Sequence, residues 1–387
     1  MKIVHICLCG PVTDGWNYQD NMLPKYHKKL GHEVTIITSQ WIWGQNGRLE
    51  KFEKSNYINS DGVKTIRLSI KGKDNFNNKF KRYEHLYESI SNEKPDILFI
   101  HNVSFIDINI IVKYLNKNKD KDIKVFVDNH SDYSNSATNW FSKNILHGIV
   151  WKNMANKIKH YTNKFYGVTP ARVDFLIDLY KLPKEKVSLL VMGADDEKVE
   201  EVQDDRLINN LRKDYNIKDT DLLIVTGGKI DEAKTQTLLL MEAINRIKRE
   251  DVKLIVFGSV EESLKDKFMS LCDNKKVKYI GWVNSSDSYK YFSIADLVVF
   301  PGRHSVFWEQ VVAQGKPLIC KYWEGTDHID VGGNAKFLYK DTVEEIYKIV
   351  ISLMENREYY MNMKKIAQTK GKEEFSYKQI ARKSIYM

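Results

Sequence analysis

The residues able to do chemistry in this chain gather in loops that follow short apolar runs. The first such loop is Thr226-Gly227-Gly228-Lys229-Ile230-Asp231-Glu232-Ala233-Lys234. Glycine lets backbone N–H groups approach an anion closely, and a helix start behind it favours negative charge. Lys229 and Lys234, five apart, add two ammonium groups, point charges suited to a diphosphate. The competing reading is a tight turn with two solvated lysines. The second loop is Pro301-Gly302-Arg303-His304-Ser305-Val306-Phe307-Trp308-Glu309-Gln310. Its polar groups can meet a phosphate or sugar hydroxyls; its plainer reading is a helix start with Ser305 as N-cap and Glu309 four residues on. A third loop, Val127-Asp128-Asn129-His130-Ser131-Asp132, sets a histidine just past an apolar run. The opening loop, Gly10-Pro11-Val12-Thr13-Asp14-Gly15-Trp16, carries two glycines. It has neither Gly-x-Gly-x-x-Gly spacing nor a P-loop Gly-Lys-Ser/Thr, so dinucleotide and P-loop readings fall.

These loops need a scaffold, and the pattern around them supplies one. Lys2 to Cys9 reads as a strand, Tyr18 to Leu30 as a helix and Val34 to Thr38 as a strand. Ile97 to Ile100, a helix over about 106–115, and Val125 to Val127 continue the alternation. The second half repeats it: Leu222 to Thr226, a helix from Thr235 to Arg249, then strands at Val252–Phe257, Val277–Ile280, Leu297–Phe300 and Pro317–Cys320. Strands alternating with helices predict an α/β fold of two doubly wound parallel sheets, with ligands beyond the carboxyl ends of the strands. From Asp195 to Asp205, seven of eleven residues are acidic. That density reads as linker and exposed surface. It divides the chain into residues 1–197, 198–374 and a closing helix over 375–387.

Composition narrows the class. At roughly 150 residues per domain, 387 residues make two to three domains, and 42% apolar content excludes a disordered chain. The net charge of +9 admits nucleic acid, an anionic membrane surface or an anionic substrate. Lysines interleaved with acids, as in Lys119-Asp120-Lys121-Asp122, argue against a polyanion groove. No apolar stretch approaches the roughly 18 residues of a membrane span, and the start lacks a signal-peptide pattern. Cys7, Cys9, Cys272 and Cys320 have neither zinc spacing nor a disulfide framework, so they read as buried thiols in a reducing cytosol. Cys7 and Cys9, two apart on the first strand, are expected on one face. Between Lys152 and Lys164, four lysines alternate with Trp151, Met154, Ile158, Tyr161 and Phe165 without an acid. That stretch, with Lys79, Lys81 and Arg82, could lie on an anionic bilayer; the alternative is an ordinary solvated helix.

Taken in order, these pieces resemble the retaining glycosyltransferases of family 4, of GT-B fold, over nearly the whole chain. Gly31-His32-Glu33-Val34, Pro95-Asp96-Ile97 before His101, and Val191-Met192-Gly193-Ala194-Asp195 match the family's first half. Gly228-Lys229-Ile230 with Lys234, Gly281-Trp282-Val283, and Gly315-Lys316-Pro317-Leu318-Ile319 match its second. The signature departs. Family members carry two glutamates separated by seven residues; here Gln310 holds the second place with Glu309 beside it, and Gly302 falls where the first is expected. The loop is shorter by about three residues, and His304 and Ser305 fill its turn.

The resemblance implies two Rossmann-like domains facing across a cleft, the first taking an acceptor and the second a nucleotide sugar. It implies transfer from a nucleotide-diphosphate sugar, UDP by the family's commonest base, to a glycan or lipid-linked acceptor in cell-surface polysaccharide synthesis. Lys229, Lys234 and His130 take the catalytic places, with His304 standing in for the lost glutamate. Gly15, Gly228, Trp282, Val283, His304, Ser305, Val306, Glu309 and Gln310 take donor contacts. No metal and no cofactor are expected, nucleic acid is not a partner, and the place is cytoplasmic, peripheral to the membrane. A catalytically silent GT-B subunit and a nucleotide-sugar epimerase remain as other classes.

Overall fold

The computed structural model describes residues 1–44, 48–72 and 75–386. The chain forms two compact units: Met1–Val191 together with the last stretch from Ile380, and Met192–Gln379. In chain order the first unit contains β1 (Lys2–Cys7), β2 (Glu33–Ser39), β3 (Trp41–Trp43), β4 (Leu49–Lys51), β5 (Asn56–Ile58), β6 (Lys64–Leu68), β7 (Ile97–His101), β8 (Lys124–Asn129), β9 (Lys164–Gly167) and β10 (Val187–Leu189). Eight of these make one sheet in the order β10-β9-β8-β7-β1-β2-β6-β5, while β3 and β4 pair as a separate ribbon. All neighbours in the eight-stranded sheet are parallel except edge strand β5, which runs antiparallel to β6. Cys9 lies beyond the end of β1 and is half-buried, so it does not share a strand face with the buried Cys7.

The second unit contains β11 (Leu222–Gly227), β12 (Val252–Phe257), β13 (Val277–Tyr279), β14 (Leu297–Phe300), β15 (Leu318–Lys321) and β16 (Ala335–Leu338). They form one parallel sheet in the order β13-β12-β11-β14-β15-β16. The strands are nearly continuous apolar runs because helices cover both faces. Leu223, Ile224 and Val225 of β11 and Leu254, Ile255 and Val256 of β12 are almost fully buried. In each sheet the chain winds outward in both directions from one place. That place lies between β1 and β7 in the first unit and between β11 and β14 in the second. Loops leaving two such strands diverge, and a crevice opens at their carboxyl ends.

Two sequence expectations change here. The acidic stretch after Gly193 is helical, with helices at Asp196–Glu201 and Asp205–Asp214. Asp195 caps the first by accepting the N–H of Glu197 at 3.3 Å, and Asp204 caps the second by accepting that of Arg206 at 2.8 Å. Acids in a first helical turn meet the positive end of the helix dipole, so this charge density builds helix ends. The membrane-facing reading of Lys152–Lys164 is also corrected. Trp151, Met154, Ile158 and Phe165 are buried in the first unit's core, which leaves no apolar stripe for a bilayer. Lys157 and Lys159 bond to Asn109 and Asn156 at 2.8 and 3.0 Å.

The loops after β11 and β12 approach each other through glycine. Gly228 donates to Phe257 O at 3.1 Å, and Gly258 to Gly281 O at 2.8 Å. Gly258 has φ +123°, and a Cβ there would meet Gly228 O at 1.8 Å. Gly258→Ala is therefore expected to cost about 3 kcal/mol through strain and collision, read as a lower urea midpoint; an unchanged midpoint would refute this close approach.

Candidate functional site

In the second unit, the loops after β11 and β14 enclose a recess at the sheet's switch point. It is lined by Thr226, Gly227, Lys229, Ile230 and Lys234 from one loop, and by Phe300 to Arg303 and Ser305 from the other. Gly228 has φ +123°, the left-handed region that favours glycine, and it turns the chain so that both lysines border the recess. Lys229 is well exposed and pairs with Asp231 at 3.2 Å. Lys234 closes a short helical turn, Glu232–Lys234. Burial lowers the Lys234 ammonium below its usual range; Asp231 opposes this, while the positive charges of Lys229 and Arg303 add to it. The recess thus concentrates cationic charge, and a bound anion would relieve the repulsion. Arg303 is a residue that the sequence reading quoted in its loop without assigning a role.

The structure gathers Lys229, Lys234 and Ser305 around this recess, with Gly228 at the turn behind it. Trp282 is exposed (71%), Val283 is half-buried beside it, and Gly281 turns there at φ +80°. Val306 is at the surface and occupies the N-cap position of the helix Phe307–Ala313 in place of Ser305. Ser305 Oγ instead accepts the N–H of Phe307 at 3.2 Å.

Glu309 and Gln310, expected at the donor, are spent internally. Gln310 Nε2 donates to Ser288 Oγ at 3.0 Å. Glu309 is fully buried, and its Oε1 accepts from His304 Nε2 at 2.8 Å and from His328 Nε2 at 3.2 Å. Burial alone would raise the Glu309 carboxyl, but the two imidazoles hold it well below its ordinary 4.5. His304 is therefore fixed by Glu309, with one ring nitrogen already engaged. His328 carries no sequence signal, since it joins the group from a loop nineteen residues away.

In the first unit, Gly15 turns the opening loop at φ +77°. The buried Arg67 guanidinium holds that loop, donating to Val12 O at 2.9 Å and to Asp14 Oδ1 at 3.4 Å. His130 follows β8, its Nε2 3.4 Å from Asp128 Oδ2. Asp128 is fully buried; its carboxyl, which burial would raise, is held far below the usual range by His101 and His130. His101, at the end of β7, lies 2.8 Å from Asp128 Oδ2 and 3.0 Å from Asp20 Oδ1.

Comparison with known proteins bears on the fold and on family likeness. Residues 207–370 match the family model of glycosyl transferases group 1. An uncharacterized glycosyltransferase of Methanocaldococcus jannaschii is 26% identical over 115 residues, which are 28% of this chain. The chain spans 30% of the length of that curated relative. Among solved structures, a glycosyltransferase from Rickettsia africae superposes with a TM-score of 0.69 at 15% identity, covering 99% of this chain and 96% of the other. HepE from Anabaena, in complex with UDP-glucose, superposes at 0.66 with 12% identity, covering 99% and 98%. At these identities the likeness establishes the fold, the GT-B arrangement of two wound sheets.

Glu309→Gln removes the buried anion between two partly buried imidazoles and is expected to cost about 3 kcal/mol at pH 7. A carboxyl held low in the folded chain stabilises it fully above its unfolded value of 4.5. That contribution is lost as the pH falls below this value. Urea midpoints between pH 3 and 7 should accordingly decline less steeply on the acid side in the variant; parallel curves would count against an ionised Glu309.

Proposed function

We propose, from the match of residues 207–370 to the glycosyl transferases of group 1, that this chain moves a sugar, with retention, from a UDP-sugar to a glycan or lipid-linked acceptor. The observation that carries this reading is the cationic recess at the switch point, which Lys229, Lys234 and Arg303 all line. When the sugar–phosphate bond breaks, negative charge grows on the departing diphosphate. Cations already fixed there stabilise that charge without having to reorganise. They supply the charge that a metal supplies in other diphosphate sites, so the donor site needs no ion. Gly281, Trp282 and Val283 receive the base, and Gly228 lets the backbone approach the phosphates.

His304, held by Glu309, stands where the family's first glutamate would touch the sugar. With one nitrogen engaged by the carboxylate, it offers its other ring edge. The departing phosphate takes the acceptor hydroxyl's proton on the face from which it left, so transfer with retention needs no separate base. His130 steadies the developing charge, and Gly15 gives the donor space at the opening loop. The likeness to HepE, seen with UDP-glucose, supports UDP as the carrier.

For the acceptor, the support is exposed apolar surface in the first unit. Trp140 is 71% exposed, Phe141 50% and Ile149 59%, on and just before the wide helical stretch Ser142–Trp151. Among the described residues no helix is long and apolar enough to cross a membrane. We place the acceptor at a bilayer's surface, in polysaccharide synthesis on the cytoplasmic side. The lost first glutamate is the feature that favours the silent-subunit reading, and isomerised donor in place of hydrolysis would mark an epimerase.

A thermal-shift panel of nucleotide sugars should show stabilisation by a UDP-sugar, and slow donor hydrolysis should follow. Lys234→Ala is expected to keep the fold and lose about 10²–10³ in turnover; a folded variant with full activity would remove the diphosphate assignment. Sedimentation with anionic liposomes tests the surface. Replacing Trp140 and Phe141 by serine should leave the chain in the supernatant, and equal sedimentation of wild type and variant would refute it.

A further inference from the structure

The loop after β15 brings an indole to the wall of the cationic recess and leaves its ring open. Trp323 Nε1 donates to Gly302 O at 3.5 Å, and Gly302 lines the recess. Trp323 is 40% exposed. Its one polar side-chain atom is engaged by the protein, so the side chain offers apolar ring carbon outward. Tyr322 beside it differs: its ring stacks on Tyr339 at 5.1 Å and meets Phe337 edge-on at 5.8 Å. Among the described residues no ring and no cation stacks on Trp323.

The backbone behind this indole is fixed. Trp323 O accepts the N–H of Thr326 at 3.1 Å and its hydroxyl at 2.8 Å, and Gly325 closes the turn at φ +72°. Before the turn, Tyr322 donates its N–H to Leu338 O at 2.8 Å. After it, His328 Nε2 meets Glu309 Oε1 at 3.2 Å. The loop after β15 is thus tied to β16 on one side and to the helix Phe307–Ala313 on the other. An exposed ring held in this way loses little freedom when a ligand covers it, which favours its use as a contact.

A diphosphate in the recess takes the cations, so the group esterified to it must lie at the margin. Among the described residues no carboxylate lines the recess, and Glu309 is fully enclosed. The wall at Gly302 therefore offers sugar hydroxyls no anion and offers apolar carbon instead. A pyranose carries hydroxyls at its rim and C–H bonds on its faces, and those weakly positive hydrogens suit the negative face of an aromatic ring. We propose that Trp323 stacks its indole on the sugar ring of the bound donor and sets the sugar specificity of the site. Such a contact selects by the shape of the ring's C–H face rather than by charge. A site built on hydrogen bonds to hydroxyls would discriminate far more sharply against a donor lacking one. The proposal rests on the UDP-sugar reading and concerns the second unit alone.

The test is calorimetric titration of the full chain with UDP and with UDP-glucose, UDP-galactose and UDP-N-acetylglucosamine, the tightest of the three sugars being carried into the variants. The quantity read is the ratio of UDP-sugar affinity to UDP affinity. In Trp323→Ala this ratio should fall about tenfold, with UDP affinity unchanged. Trp323→Phe, which keeps an aromatic face, should recover most of it. Tyr339→Ala, exposed but outside the recess, should match the wild type. An unchanged ratio in Trp323→Ala overturns the proposal. So does an equal loss for UDP and UDP-sugar, which would put the indole under the base or behind the loop's fold, and so does a fall in the ratio with Tyr339→Ala. A wild type that binds no UDP-sugar removes the UDP-sugar reading together with this one; a wild type that binds while Trp323→Ala keeps its ratio removes this one alone.

Discussion

Burial of the Lys234 ammonium in a recess bordered by Lys229 and Arg303 is the constraint that the second unit's loops have to meet. Asp231 is the one acid that offsets it among the groups acting on Lys234. A folded chain tolerates a partly buried ammonium beside other cations only if other contacts hold it there. The holding is done by β11 and β14, adjacent in a sheet whose core is fully buried, and by Gly228 and Gly258, which let their loops pack backbone to backbone. The free energy invested in that packing places charge where a diphosphate can use it.

Much of this was legible because the information is local. Apolar runs ending in glycine mark where each strand stops, and the lysines follow within a few residues, so spacing singles out Lys229 and Lys234, while the roles expected of them come from the family resemblance. Arg303 sat in plain view, but nothing local separates an arginine lining a recess from one in solvent. His328 and Asp20 were beyond reach for a different reason. They join Glu309 and His101 through sheet topology, and no periodicity encodes which loops will meet. His101 was noticed only as the end of a strand, although its position beside the β1/β7 switch point is what gives it neighbours.

Charge density is an incomplete guide in two places. The acidic run after Gly193 lies mostly at the surface beside the boundary between the units, as its like charges require, but it is helical, because Asp195 and Asp204 cap helices whose first turns welcome acids. The lysines of Lys152–Lys164 were set beside a membrane because apolar residues alternate with them. Those apolar residues instead face the protein's own core, and Lys164 and Lys186 bond to backbone carbonyls nearby. Amphipathic spacing shows that a face will be covered. What covers it is decided by the tertiary fold, and here the covering is internal.

The altered signature follows the same electrostatic logic. A glutamate at the usual first position would bring a carboxylate to a loop that also holds Arg303. In this chain the loop is shorter, and the carboxylate that remains, Glu309, lies one position before the usual second place and is enclosed by two imidazoles. Its charge is neutralised within the protein, so the recess facing the donor keeps its cationic character from Lys229 through Arg303. The carboxylate of Glu309 fixes His304, whose orientation is thereby set from behind. An enclosed carboxylate cannot reach solvent, so its two imidazoles are its partners in the fold.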